Sequence, residues 1–512
     1  MADNKVAENG LQLEAGQPPE KPGAHQEVDL HEYAESEGYV IDTETGAAGS
    51  YKRAKDGHTI LIPQPSDDPN DPLNWSWTTK HVTLFIIACT AFLPDYGSAT
   101  GAVTLIAQAE QWDMTQDGVN HSQAGNVFML GAGGIFAVVL VAYAGRLPVV
   151  WYFLALSTAT AAWCAGATTF ASFMAARILN GFFSTVTQVT GLIFIQDIFF
   201  FHERARKINI WASFFIISPY MGPLLTAFML TAKPWPVPFW VYTAMTASCF
   251  VAATLFLRET YYDRRIPASE QPPTGNRVQQ VLGISQFRSR HLRNTFGQAL
   301  WRCLSVVLKP TTFAWVVGIN TTLSILLQPV YNFGVLQIGY FYFTPVVAVI
   351  LGEIAGHWLH DAFAKQYIRT HHGHFEPEVR LRAIFVSIVF MIVGIVLLGQ
   401  SLQNEWHYMA SSVTWGLYVF GIMITTVAVS SYCLDSYPEA SGEVSAWVNF
   451  SRTIGGFIIS YFQVSWATHE GTKKSFGIQG AIMAAAFIII LCLIKWGKAM
   501  RVSAGPLNFA TT

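Results

Sequence analysis

The stretch RETYYDRRIPASEQPPTGNRVQQVLGISQFRSRHLRNTFGQALWRCLSV (258–306) decides the fold, because it interrupts what is otherwise a succession of apolar runs. It carries Arg258, Arg264, Arg265, Arg277, Arg288, Arg290, Arg293 and Arg302. Six runs precede it, at 81–107, 122–143, 148–167, 171–200, 206–230 and 238–257. Six follow, at 311–330, 333–357, 381–401, 409–432, 442–466 and 478–497. About 20 apolar residues in a helix cross a hydrocarbon core of about 30 Å. The pattern therefore predicts an all-α membrane protein of twelve transmembrane helices in two six-helix bundles, 79–257 and 307–500. The basic linker 258–306 joins them, and residues 501–512 form a short tail. Two halves of six spans are themselves an internal-repeat signal.

Composition agrees. The chain is 52% hydrophobic and 12% charged, against roughly 25% charged in soluble domains. A net charge of −2 gives no global field for nucleic acid. The six cysteines form no CxxC pair, so neither a disulfide framework nor a zinc site is indicated. Residues 1–78 hold Asp and Glu far in excess of Lys5, Lys21, Lys52, Arg53 and Lys55 and read as a disordered acidic tail, ending in Asp71-Pro72-Leu73-Asn74-Trp75. No basic n-region with a short apolar h-region precedes the first run, so that run is expected to act as an uncleaved insertion signal.

Orientation follows from the loops. With the tail in the cytosol, the loops on that side hold Arg146, Arg204, Arg206, Lys207, the eight linker arginines, Lys309, Lys365, Arg369, Arg380 and Arg382. The opposite loops hold Lys233, Lys473 and Lys474. Basic residues resist translocation, so both termini are expected to be cytosolic.

Specific motifs lie inside this frame. Arg177-Ile178-Leu179-Asn180-Gly181 in span 4 fits an RxxxG core; Ser218-Pro219-Tyr220-Met221-Gly222-Pro223 in span 5 keeps the glycine and proline of GxxxGPxxGG; Gly145-Arg146 ends the loop after span 2 as GxLxDxxGR does. These resemble motifs B, C and A of the major facilitator superfamily. Asp197 with His202 to Lys207, Glu376 to Leu381, and Tyr432 to Tyr437 resemble its fungal twelve-span drug:proton antiporter branch, as does the Asp71–Trp75 entry. The likeness covers nearly the whole membrane region. It implies a major facilitator fold and proton-coupled efflux of small amphipathic compounds such as drugs, toxins or secondary metabolites. The protein would be monomeric, its partners a small-molecule substrate, protons and the bilayer, its site the plasma membrane. Proton symport of a cationic nutrient uses the same fold, and a non-transporting sensor is the reading from another class. Val138 and Ala142 replace the motif A glycine and aspartate, which removes the usual carboxylate latch from the first half. Gly352 to Gly356 leading to Asp361 is a counterpart in the second.

Ionisable residues inside spans are costly and mark function by default. They are Asp95, Arg177, Asp197, Glu353 and Arg452. Asp95 beside Pro94 and Gly97 is the expected proton carrier, with Arg177 as its partner; Arg452 is expected to pair structurally with Glu443 or Asp435. Arg177 close to the surface, snorkelling to water, is the plainer alternative. Gly145, Arg146, Gly181, Gly222, Pro223 and Asp361 are the expected conformational residues. Asn320, Gln328, Gln337, Tyr340 and Trp415, amid Phe333, Phe341, Phe343 and Tyr418, are the expected substrate cavity, apolar with a few polar fixtures; lipid-facing aromatics are the alternative for any one of them. GxxxxGK[ST], GxGxxG and HExxH do not occur, so no ATP-driven, cofactor-dependent or metalloprotease chemistry is indicated, and His371-His372-Gly373-His374 has no partner ligands that suit a metal. No enzyme activity is expected.

Overall fold

The computed structural model describes residues 39–40, 52–54, 61–264, 266–271, 275–290, 293–307, 331, 333–371, 374–437 and 440–504. Among these, ten helices are long and apolar enough to cross a membrane. In the first half they are span 1 (Trp77–Trp112), span 2 (Gln116–Ala144), span 3 (Arg146–Gly166), span 4 (Phe170–Ser184 continued by Val186–Ile198), span 5 (Phe201–Leu230) and span 6 (Pro236–Phe256). The second half has span 8 (Val335–Phe341 and Phe343–Thr370), span 9 (a 3-10 turn Pro377–Ala383 and Ile384–Gln403), span 10 (Tyr408–Ser436) and span 12 (Thr472–Ala504). Span 11 (Ser441–Glu470) is a full-length helix that is not among the ten. Its polar residues, described below, are the cause. The expected span 7 lies outside the described residues, and with it Asn320 and Gln328. The observed helices are consistent with twelve.

Close helix approach is built on glycine. A Cβ on Gly181 would lie 2.4 Å from the Asn126 carbonyl, on Gly133 2.2 Å from the Phe182 carbonyl, and on Gly394 2.6 Å from the Tyr418 amide. Small residues at such crossings let backbones touch, which is how membrane helices gain contact without a hydrophobic drive. Gly222 works within the first half, where its Cβ would meet the Tyr96 carbonyl of span 1 at 2.7 Å. The motif C glycine is thus a fixed joint between spans 5 and 1. Ala227, five residues on, faces the other half, against Gly339 at 2.8 Å from the Cβ that glycine lacks.

Two elements differ from the sequence expectation. Span 8 continues as helix to Thr370, so Lys365 and Arg369 ride on it rather than on a loop; no glycine or proline intervenes before Gly373 to stop it. Residues 61–76, assigned by composition to the acidic tail, fold against the chain. Phe201 donates its amide to the Ile62 carbonyl at 2.8 Å, and Tyr39–Val40 pairs antiparallel with His374–Phe375. Asp71 caps the turn Pro72–Asn74 through the Leu73 amide and accepts Arg264 at 2.8 Å. Burial pushes the Asp71 carboxyl up, but Arg264 and the amides of Leu73 and Ser66 outweigh it, and it ends below the usual carboxylate range.

The linker closes the same side. Its helix Phe296–Val307 lays Ala299 and Cys303 against Val139 of span 2. It also holds span 11, through Arg302 to Glu443 at 3.1 Å and Trp447 Nε1 to the Cys303 carbonyl at 2.7 Å. Each half then has a charged clasp at this end. Arg146 meets Asp197 at 3.1 Å, Thr260 also donates to Asp197, and Glu259 accepts the Arg146 and Leu147 amides at the start of span 3. In the second half Arg380 meets Asp435 at 3.0 Å and Arg501 meets Glu378 at 3.1 Å.

Candidate functional site

Span 4 carries a polar stripe, Arg177, Asn180, Ser184 and Gln188, at intervals that stay on one helical face. Its upper member does not meet Asp95. Arg177 is 2% exposed and donates Nη1 to the Gly97 carbonyl at 2.6 Å and Nη2 to the Ser98 carbonyl at 2.9 Å. Phe173 and Phe239 flank the guanidinium at 5.9 and 5.5 Å. Among the described residues no carboxylate lies within ion-pair distance of it. Two carbonyl dipoles and two ring faces offset part of its burial. Gly101 leaves the room, since a Cβ there would lie 2.7 Å from Nη2. The expected Asp95–Arg177 pair is therefore corrected: Arg177 fastens span 4 to the backbone of span 1. Its head group is enclosed by protein and not extended to the surface, as snorkelling would need.

The lower end of the stripe reaches Asp95. Gln188 Nε2 donates to Asp95 Oδ2 at 2.8 Å and to the Ala91 carbonyl at 3.2 Å. The charged partner comes from the other half: Arg452 Nη1 lies 3.0 Å from Asp95 Oδ2. Arg452 Nη2 donates to Gln188 Oε1 at 3.2 Å and to Asn449 Oδ1 at 3.0 Å. Asn449 Nδ2 returns to Thr185 Oγ1 at 3.2 Å, at the joint between the two helices of span 4. Phe215 of span 5 covers the guanidinium at 5.6 Å. The expected pairing of Arg452 with Glu443 or Asp435 is thereby overturned, since Arg302 and Arg380 take those acids. Asn449 and Arg452 are one turn apart on span 11, which explains that span's low hydropathy.

Aromatic rings border this cluster. Tyr220 of the first half meets Trp415 of the second edge-on at 5.7 Å, and Trp415 stacks on Phe341 at 5.5 Å with Tyr342 at 5.1 Å. Trp415 is buried, and its Nε1 has no hydrogen-bond partner among the described residues. Other expected cavity residues fall elsewhere. Gln337 is exposed and its Oε1 caps the Gly334 amide at 2.6 Å, because the start of a helix leaves amides to be satisfied. Tyr340 is 55% exposed and leans on Phe228. The side chain of Asp361 lies outside the description, although its position is helical. Gly145 adopts φ +100°, a conformation that glycine tolerates, and Arg146 holds Asp197.

Gln188 and Asn449 escaped the sequence reading. The signal for the first was the 11-residue interval from Arg177, three turns on one face; for the second, the interval of three to Arg452.

With the geometry in hand, similarity to known proteins can be stated. The chain is 24% identical to the MFS-type transporter hepF of Aspergillus oryzae, over 77% of this chain and 84% of that one. It is 25% identical to the MFS-type transporter penM of Penicillium rubens, over 80% and 83%. An uncharacterized MFS-type transporter of Schizosaccharomyces pombe, C1271.10c, is 22% identical over 86% and 89%. The fold is shared with the proton:xylose symporter XylE, at TM-score 0.57, 13% identity, 82% of this chain and 96% of that one. It is shared too with the human organic anion transporter MFSD10, at TM-score 0.55, 16% identity, 80% and 99%. Residues 84–460 match the family model of the Major Facilitator Superfamily, and on that match, most of the membrane region, the chain belongs to this superfamily of transporters.

Proposed function

We propose that this transporter exports small amphipathic compounds in exchange for protons, and that the Asp95–Arg452 pair is the coupling element. One observation carries the reading: the only ion pair described at the core of the membrane region joins span 1 of one half to span 11 of the other. Alternating access requires the halves to separate around a central site. Protonating Asp95 removes one charge of the pair, leaves Arg452 with the neutral acceptors Gln188 and Asn449, and loosens the contact between halves. The ionised form rebuilds it. Arg177 positions span 1 for this exchange without carrying the proton. Tyr220, Trp415, Phe341 and Tyr342 offer ring faces beside the pair, which suits a substrate with an aromatic or apolar body and a polar group. The linker side is the cytosolic face in this reading, as the loop charges support, and the membrane is the plasma membrane.

The test is substrate flux in proteoliposomes under an imposed pH gradient, with a panel of aromatic amphiphiles. Asp95→Asn should abolish pH-driven flux while leaving exchange of labelled for unlabelled substrate. Arg452→Gln should lower both by at least about tenfold. Undiminished pH-driven flux in Asp95→Asn overturns the coupling assignment. Accumulation in the direction of proton entry would make the protein a symporter, and binding without flux a sensor.

A further inference from the structure

The segment ahead of span 1 touches both halves. Residues 66–73 are fastened to the first. Tyr262, which follows span 6, donates to Asp68 at 3.2 Å and accepts Ser66 Oγ at 3.2 Å. Lys80 of span 1 donates to the Leu73 carbonyl at 2.8 Å, and Arg264 holds Asp71. Ahead of these anchors, Ile62 reaches the start of span 5. That helix opens without a side-chain cap from Phe200, and the first amides of a helix have no partner of their own. The Ile62 carbonyl takes the Phe201 amide at 2.8 Å.

The same residue stands on the seam. Ile62 packs on a cluster made of Phe201 from the first half with Tyr367, Phe375 and Val379 from the second. Phe201 and Phe375 meet edge-on at 5.6 Å, and Arg380 lies over both rings at 5.9 and 4.8 Å. Nearer the N-terminus the chain binds the second half. Tyr39 and Val40 pair with Phe375 and His374 and cover an edge of that short strand. Lys52 folds back on the stretch before Ser66, its amide donating to Gln64 Oε1 at 2.9 Å and its carbonyl accepting the Leu61 amide at 3.1 Å.

We propose that the N-terminal segment is an autoinhibitory strap, which holds the linker ends of the two halves together and must let go at Ile62 and Tyr39–Val40 before this side opens. Two paired residues and one aliphatic side chain are too few to hold as a separate peptide. Tethered at residues 66–73, they meet their site at a high effective concentration and close it without any partner. The strap relies on the transport reading only for what the opening accomplishes. Its effect on the separation of the halves stands without flux.

The experiment is pulsed electron–electron resonance on the full-length protein in lipid nanodiscs, on a background without the native cysteines. Spin labels go on Arg258→Cys, after span 6, and Gln366→Cys, on span 8, both exposed positions. Deletion of residues 2–45 should move the distance distribution to longer values. Ile62→Lys should do the same, since it sets a cation against rings that already carry Arg380. A distribution unchanged in both variants overturns the strap. Should neither variant fold, Val40→Cys with His374→Cys decides, because the register sets these residues opposite each other at a spacing that a disulfide spans. The disulfide should form on oxidation, stop flux, and restore it on reduction. A pair that does not cross-link, or flux undiminished by the cross-link, overturns the strap. Lengthened distances in a protein without pH-driven flux support the strap and sink the transport reading alone.

Discussion

Asp95 and Arg452 divide one ion pair between two bundles, with side chains 10% and 22% exposed. Removing one member of a buried pair strands the other, and a partly wet pair loses less than the 3–5 kcal/mol of a dry one. Arg452→Ala is expected to destabilise the protein by about 2 kcal/mol, and Asp95→Asn, which keeps a hydrogen-bonding group opposite Gln188, by less. Thermal unfolding in detergent ranks the two; the reverse order would mean that the pair contributes little to cohesion. What the sequence made legible at this scale was charge out of place. Asp95, Arg177 and Arg452 each stand out because hydrocarbon penalises them. Which base meets which acid was not legible, because span 4 and span 11 are distant in sequence and both offer an arginine at membrane depth. Pro94 and Gly97 drew attention to Asp95, yet the same stretch of span 1 gives Arg177 its carbonyls, at Gly97 and Ser98.

Helices, in turn, are held by contacts that a sequence reports only as small residues. Gly181 is legible as part of RxxxG, but its work is sterics: the Asn126 carbonyl sits where a methyl group would go. Gly133 and Gly394 do the same at crossings that no motif marks. Gly181→Ala and Gly394→Ala each gain helix propensity, worth up to about 1 kcal/mol, against overpacking of about 1–3 kcal/mol. Both should lower the melting temperature, whereas Gly166→Ala, whose Cβ meets nothing within 4 Å, should raise or preserve it. A melting temperature that rises in all three would refute the close crossings. Cavity residues fared differently. Trp415, expected in the substrate cavity, is buried among aromatic rings, whereas Gln337 and Tyr340 lie exposed near a helix start, where end-capping and outward-facing rings compete with cavity lining.

For the molecule as a whole, the all-helical membrane fold was legible in the apolar runs, and the helices among the described residues are consistent with the expected twelve. The folding of residues 61–76 was not legible, since a Pro-rich acidic segment looks unfolded until its basic partner is in place. Here the partner is Arg264. Asp71 titrates below an unfolded carboxylate, whose value is about 3.9. Its contribution is therefore complete above that value and is lost as pH falls through the lower folded one. Acidification should release the segment around Trp75, read as faster amide exchange over residues 66–75, and Arg264→Gln should bring the same release at neutral pH. Exchange that does not change with either would detach Asp71 from any clasping role.

The two clasps at the linker end have one further consequence. After span 6 the first half presents an acid, Glu259, to the start of span 3; in the last turn of span 12 the second half presents a base, Arg501, to Glu378. Two bundles with the same plan run the risk of exchanging segments while the chain folds. Here the exchange is penalised, because Glu259 lodged in the second bundle would face Glu378, and Arg501 lodged in the first would face Arg146. Opposite polarity at equivalent positions thus lets each half recognise its own trailing segment and reject its sibling's.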